Sequence, residues 1–282
     1  MKIAIVTDST AYLTNDQYKE NKVKMVPLSV VMEKEAFREE VDITMEEFLA
    51  RVDQMATLPT SSQPTVGDFM NAYQELADEG YDAIISIHIS KKLSGTFQNA
   101  ASVANSFEQI PIFVYDSEFT AAGQAKLVFE AVKLANQNLP VEDIIKELDA
   151  IKETLQLYFV VDDLSNLVKG GRLSSAAGAL GTLLKIKPIL TIDEGELGVF
   201  DKIRTQKKAL KKIGEILGKT IENSDYPIEA TIVNVHAAEK AEAWKNELEA
   251  TYPQLKITIS HLGPVIGVHT GRGALGLLIS KQ

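Results

Sequence analysis

The feature that most constrains this fold is the alternation, through the first half of the chain, of short unbroken apolar runs with helix-periodic stretches. Residues 3–6, 83–89 and 112–114 are apolar on both faces of an extended chain, as strands are when helices cover both sides of a parallel sheet. Thr44 with Glu47, and Thr65 with Asp68, have capping-box spacing ahead of apolar-periodic residues, so helices are expected to start there. The Phe69, Ala72, Tyr73 and Leu76 stripe reads as the buried face of the second helix. A parallel α/β unit is the expectation.

The second half has a different pattern. Residues 157–161 read as a strand, and 187–192 with 197–203 flank Gly195 like the arms of a hairpin, which requires antiparallel pairing. Helical periods at 210–221 and 241–248 alternate with strands at 230–235, 257–262 and 274–279, giving a mixed sheet with helices. A chain of 282 residues with 45% hydrophobic content favours two domains. The boundary is expected near residue 157, with a parallel α/β lobe over 1–157 and a mixed-sheet α/β lobe over 158–282.

Charge and composition exclude several roles. A net charge of -10 without a broad basic face argues against nucleic acid. Lys207, Lys208, Lys211 and Lys212 share a helical pattern with apolar Leu210, Ile213 and Leu217, and so read as a solvated face. The absence of cysteine rules out disulfides and thiol catalysis. Asp8 interrupts the first apolar run too early for a signal-peptide core or a membrane span, so a cytoplasmic protein with no integral membrane segment is expected.

The strand-like runs end in hydroxyl-rich turns: Thr7-Asp8-Ser9-Thr10, Ser94-Gly95-Thr96 and Asp116-Ser117. Ligands of open parallel sheets collect at the carboxyl ends of the strands, so these turns suggest one shared site. Hydroxyls and helix-start amides would hold a carboxylate or phosphate there without a metal. Each turn also reads as an ordinary helix cap. Thr60-Ser61-Ser62-Gln63-Pro64 sets three hydroxyls and an amide before a proline, as a polar contact segment or as a plain loop.

Further along, Gly170-Gly171-Arg172, followed by Ser174-Ser175 and the small residues 176–181, resembles a tight turn feeding a closely packed helix. It would bring Arg172 to a phosphate or carboxylate, or leave it as a surface arginine; Arg204 carries the same two readings. His269 lies in the glycine-dense segment 263–273. It could donate to a carboxylate as neutral imidazole, pair with one as imidazolium, or be purely structural. Gly271, Gly273 and Gly276 match G-x-G-x-x-G, but six residues after Gly276 cannot supply the helix and strand of a dinucleotide fold. There is no Walker A pattern, no G-x-S-x-G elbow and no metal-spaced cluster, so autonomous ATP-driven or hydrolytic catalysis lacks support and no metal or cofactor is expected.

Taken in order, Ile5-Val6-Thr7-Asp8-Ser9, Ser62-Gln63-Pro64, Ser94-Gly95-Thr96, Val161-Asp162, Gly170-Gly171-Arg172, Lys187-Pro188-Ile189-Leu190 and residues 263–276 resemble the DegV family over nearly the whole chain. That resemblance implies two α/β lobes, with a long-chain fatty acid buried between helix and sheet and its carboxylate held where the lobes meet. It implies a binding subunit, not an enzyme in itself, which presents the acid to a separate ATP-dependent kinase. The resulting acyl phosphate would feed phospholipid synthesis, with an acyl-phosphate-using acyltransferase as a further partner. Carried over by position, Ser61, Ser62, Ser94, Gly95, Thr96, His269 and Thr270 would contact the ligand, and Arg172 and Arg204 would serve phosphate handling or docking of the kinase. Two departures stand out: family members often have threonine at the position of Ser61 and proline at that of Arg272. Arg272 would either alter the charge near the head group or point outward. Two other functions compete: an acyl hydrolase or transferase with Ser94 as nucleophile and His269 as base, and a sensor of non-lipid anions.

Overall fold

The computed structural model describes residues 1–173 and 187–282, and the chain divides into two units, 1–153 and 154–282. The first unit is built on strands β1 (Ile3–Asp8), β2 (Val23–Val26), β6 (Ala83–His88) and β7 (Ile112–Asp116), all parallel, in the order β2-β1-β6-β7. Every residue of β6 is buried, which is why all of them but Ser86 and His88 are apolar.

Helices cover this sheet. Those between its strands are α1 (Asn15–Glu20), α2 (Met45–Val52), α3 (Val66–Asp78) and α4 (Thr96–Ala104); α5 (Ala121–Asn136) and α6 (Val141–Lys152) follow it. The expected capping boxes close α2 at Thr44 with Glu47 and α3 at Thr65 with Asp68, and Thr14 with Gln17 forms another at α1. Phe69, Ala72, Tyr73 and Leu76 of α3 join Ala100 and Val103 of α4 against Ala4, Val6 and Ile84 of the sheet. Leu127, Val128 and Ala131 of α5 are buried as well.

A second, antiparallel sheet belongs to the same unit: β3 (Ser29–Met32) lies between β4 (Glu35–Arg38) and β5 (Thr60–Ser62). The polar segment 60–62 is therefore a strand, paired Ser29 to Ser62 and Val30 to Ser61, where a loop was the plainer expectation.

The second unit carries one mixed sheet in the order β10-β9-β8-β13-β11-β12. Its strands are β8 (Gln156–Val160), β9 (Ile189–Asp193), β10 (Glu196–Asp201), β11 (Ile228–Asn234), β12 (Ile257–His261) and β13 (Leu275–Lys281). The expected hairpin is β9 and β10, antiparallel, and only β11 and β12 pair in parallel among these strands. The helices described here are α7 (Ser165–Lys169), α8 (Gln206–Asn223), α9 (Ala238–Thr251) and α10 (Pro264–Thr270). Ala209, Ile213 and Leu217 of α8, with Ala241, Trp244 and Leu248 of α9, form one core with Ile232, Leu275 and Leu277 of the sheet. Ser174, Ser175 and the small residues 176–181 lie outside the described residues.

Candidate functional site

In the first unit, the chain leaves β1 toward β2 on one side and β6 toward β7 on the other, so the crevice between the ends of β1 and β6 is where an open α/β sheet offers a ligand site. Here the crevice is filled by the protein itself. Asp8, at the end of β1, accepts from the Thr10 amide (3.0 Å) and hydroxyl (2.5 Å) with Oδ1, and meets His88 Nδ1 (3.0 Å) and the Ile89 amide (3.0 Å) with Oδ2. His88 Nε2 lies 2.7 Å from Ser86 Oγ, which lies 2.8 Å from the Tyr73 hydroxyl. With the Nδ1 proton assigned toward Asp8, Nε2 accepts from Ser86 and Ser86 accepts from Tyr73, so each donor in the row has an acceptor. Burial alone would raise the Asp8 carboxyl, but its bonds to His88, Thr10 and Ile89 outweigh that and hold it below the usual carboxylate value.

The remaining hydroxyls of the first turn are also spent internally. Thr7 Oγ1 donates to the Ile87 carbonyl and accepts from Gln124, Thr10 bonds Gln124, and Ser9 donates to Glu39 at 2.6 Å. Residues 7–10 are all buried. Ser117 likewise closes its own turn, donating to the Phe119 carbonyl and accepting from the Phe119 amide. Of the three hydroxyl turns, the one with a partly accessible serine is that of Ser94.

Ser94 is half-buried just before α4. Its amide donates to the Ser90 carbonyl, and its hydroxyl lies 2.9 Å from that of Thr96, which is fully buried. Thr96 thus supports Ser94 from below. The β5 segment is fastened to the same place: Asn99 of α4 donates to the Pro64 carbonyl (2.8 Å), and Gln63 lies so close to Gly95 that an added Cβ there would sit 3.0 Å from Gln63 Nε2. Ser61, half-buried, and Ser62, exposed, precede this junction. Gln63 belongs to the polar segment marked by sequence, whereas Asn99 was not singled out, because it does not differ from an ordinary surface amide until the fold brings it to the Ser94 turn.

In the second unit, α10 and α7 pack together and bring His269 beside the 170–172 turn. Arg172 is half-buried and folds back so that Nη1 donates to the Gly170 carbonyl at 2.6 Å. Thr270 is buried and donates to the Ile266 carbonyl within its own helix. Arg204 and Arg272 are exposed.

The His269 imidazole is pushed down to about 4, first by burial and then by the charge of Arg172. Without a bound anion the shift favours the neutral ring at neutral pH, the first of the two hydrogen-bonding readings. Stability follows from the same shift. Because the folded value lies below the ordinary 6.5, the unfolded chain takes up a proton between about pH 6.5 and 4 that the folded chain refuses. The unit loses stability as pH falls through that window, by at most about 3 kcal/mol. Urea unfolding at pH 7 and 4.5 should show this loss in the wild type and much less of it in His269→Asn. Asp8, held below its own ordinary value of 3.8, contributes stability that is lost only at still lower pH, so the two effects separate.

Among the described residues there is no cluster of three or more His, Asp or Glu side chains arranged for a metal, and no helix long and apolar enough to cross a membrane.

The chain thus joins, in sequence, a parallel α/β unit with a serine turn at its strand ends to a mixed-sheet unit with a histidine beside an arginine. The family model described as "Uncharacterised protein, DegV family" matches residues 2–282. A DegV domain-containing protein of Listeria monocytogenes is 43% identical over 276 residues, covering 98% of this chain and 97% of that one. Among solved structures, DegV of Bacillus subtilis, described as a fatty acid binding protein, aligns with a TM-score of 0.93 at 41% identity over 100% of both chains. A DegV family protein of Thermus thermophilus, described by its fatty acid binding, aligns with a TM-score of 0.91 at 33% identity, again over 100% of both. The chain belongs to the DegV family.

Proposed function

We propose that this protein binds a long-chain fatty acid and presents its carboxylate to a separate ATP-dependent kinase, which forms the acyl phosphate used in phospholipid synthesis. The observation that carries the binding half is the full-length similarity to DegV proteins described as fatty-acid-binding. Ser94 and Ser61 or Ser62 in one unit, and His269 in the other, are the proposed carboxylate ligands, with Thr96 and Thr270 behind them. A neutral imidazole suits this task, since it donates one hydrogen bond to a carboxylate. Arg172 and Arg204 are proposed for phosphate handling or kinase docking, Arg172 because a guanidinium matches an acyl phosphate in bidentate fashion. An acyltransferase would then take the product.

The physical need is plain. Burying about fifteen methylenes at ~0.8 kcal/mol each gives roughly 12 kcal/mol gross, enough to retain an acyl chain through purification after ordering costs are met. Organic extraction of recombinant protein followed by mass spectrometry should therefore release fatty acids. Protein stripped of lipid should gain thermal stability when a long-chain acid is returned. Consistent absence of acyl chains, together with no thermal shift, counts against the reading.

The acyl hydrolase reading has a decoy in this fold. Asp8, His88 and Ser86 follow one another in the order of a hydrolytic triad. Ser86 is fully buried and its Oγ is bonded to Tyr73, so no ester reaches it. We propose a non-enzymatic role, and assay of acyl-ester turnover by wild type and Ser94→Ala tests it: equal background rates are expected.

A further inference from the structure

Helix α7 ends in two consecutive glycines that do different work. The Gly171 amide donates to the Val168 carbonyl and the Arg172 amide to the Leu167 carbonyl, the paired bonds of a Schellman ending. Gly171 occupies the left-handed position of that motif, φ +73, which a side chain would strain, and an added Cβ would meet nothing within 4 Å. Gly170 is the reverse case. Its φ of -73 and ψ of -7 are ordinary helical values open to any residue. Space is what excludes a side chain: a Cβ at 170 would lie 2.9 Å from His269 Nδ1 and 3.4 Å from its Cε1, and 2.9 Å from the Asn166 carbonyl oxygen.

We propose that Gly170 is a positioning residue, its bare Cα forming the seat against which the His269 imidazole rests. The same residue lends its carbonyl to Arg172 Nη1 at 2.6 Å, so one glycine sets both the ring and the guanidinium beside it. A methyl group at 170 turns or lifts the ring away from the burial that keeps it neutral, and changes its distance from Arg172. The ligand-binding consequence rests on the function proposed above; the ring's position does not.

The test compares Gly170→Ala with Gly171→Ala and His269→Ala. In Gly170→Ala, the His269 ring resonances, followed by NMR across a pH titration, are expected to shift and its titration to move up from about 4 toward the ordinary value. Binding of a fluorescent long-chain fatty acid is expected to weaken roughly tenfold or more, with no further loss when Gly170→Ala is added to His269→Ala. Gly171→Ala is expected to lower the unfolding midpoint while leaving the ring titration in place. Unchanged His269 resonances in Gly170→Ala overturn the proposal, as does an affinity loss of equal size with and without His269. If the wild type binds no fatty acid, the proposed function fails while the ring titration still decides the role of Gly170.

Discussion

Replacing Asp8 by alanine should destabilise the first unit by about 3–5 kcal/mol, the usual consequence of removing one partner from a buried charged network. The carboxylate serves the Thr10 amide and hydroxyl, the Ile89 amide and the His88 ring, and all four groups lie in residues that are buried. Alanine leaves the Thr10 and Ile89 amides and the His88 ring dry and without that acceptor, with Gln124 remaining for the Thr10 hydroxyl, a larger penalty than the net worth of the bonds themselves. For a unit of this size the thermal midpoint should fall on the order of 10 °C. Asp8→Asn should cost less but not nothing, because its amide nitrogen turns a donor toward groups that are themselves donors. A loss below about 1 kcal/mol in urea titrations of Asp8→Ala would show that the crevice is wetter than its burial indicates.

The second large effect concerns binding. Each of Ser94→Ala and His269→Ala should weaken fatty acid affinity by roughly ten- to hundredfold, the equivalent of one hydrogen bond to a charged head group. Neither residue sits in the core clusters of its unit, so circular dichroism and unfolding at pH 7 should stay close to wild type. Titration of lipid-stripped protein with a fluorescent long-chain acid measures the loss, and a double-mutant cycle asks whether both residues serve the same carboxylate. Wild-type affinity in both single variants would remove these two side chains from the site.

Much of this architecture was legible because buried parallel strands must be apolar on both faces, and because capping boxes announce helix starts. Residues 83–88 and the Thr44 and Thr65 caps behave as that physics requires. The small antiparallel sheet was not legible. Thr60, Ser61 and Ser62 form a short edge strand without apolar alternation, and such a strand looks like a loop until its partner, β3, is known.

The hydroxyl turns show a second limit. Sequence marks Thr7, Ser9 and Thr10 as hydrogen-bonding groups but not where those bonds go. Their partners Gln124 and Glu39 lie 114 and 30 residues further along the chain from Thr10 and Ser9. The protonation state of His269 was hidden for the same reason: it depends on burial and on Arg172, nearly a hundred positions away. The double glycine at 170–171 was visible as a turn, whereas the division of labour within it needed φ values and the position of the imidazole.

Glu39 has a consequence of its own. It is buried between the hydroxyls of Ser9 and Tyr12, while its amide donates to the Leu28 carbonyl and the Leu28 amide donates to Ser9 Oγ. Peeling the small sheet away would pull that carboxylate off the Ser9 and Tyr12 hydroxyls and break the hydrogen bond from its amide to Leu28, so its opening is tied to disruption of the turn that follows β1. Both sheets of the first unit therefore belong to one cooperative block, and a three-residue strand such as β5 borrows a permanence that its length alone could not provide.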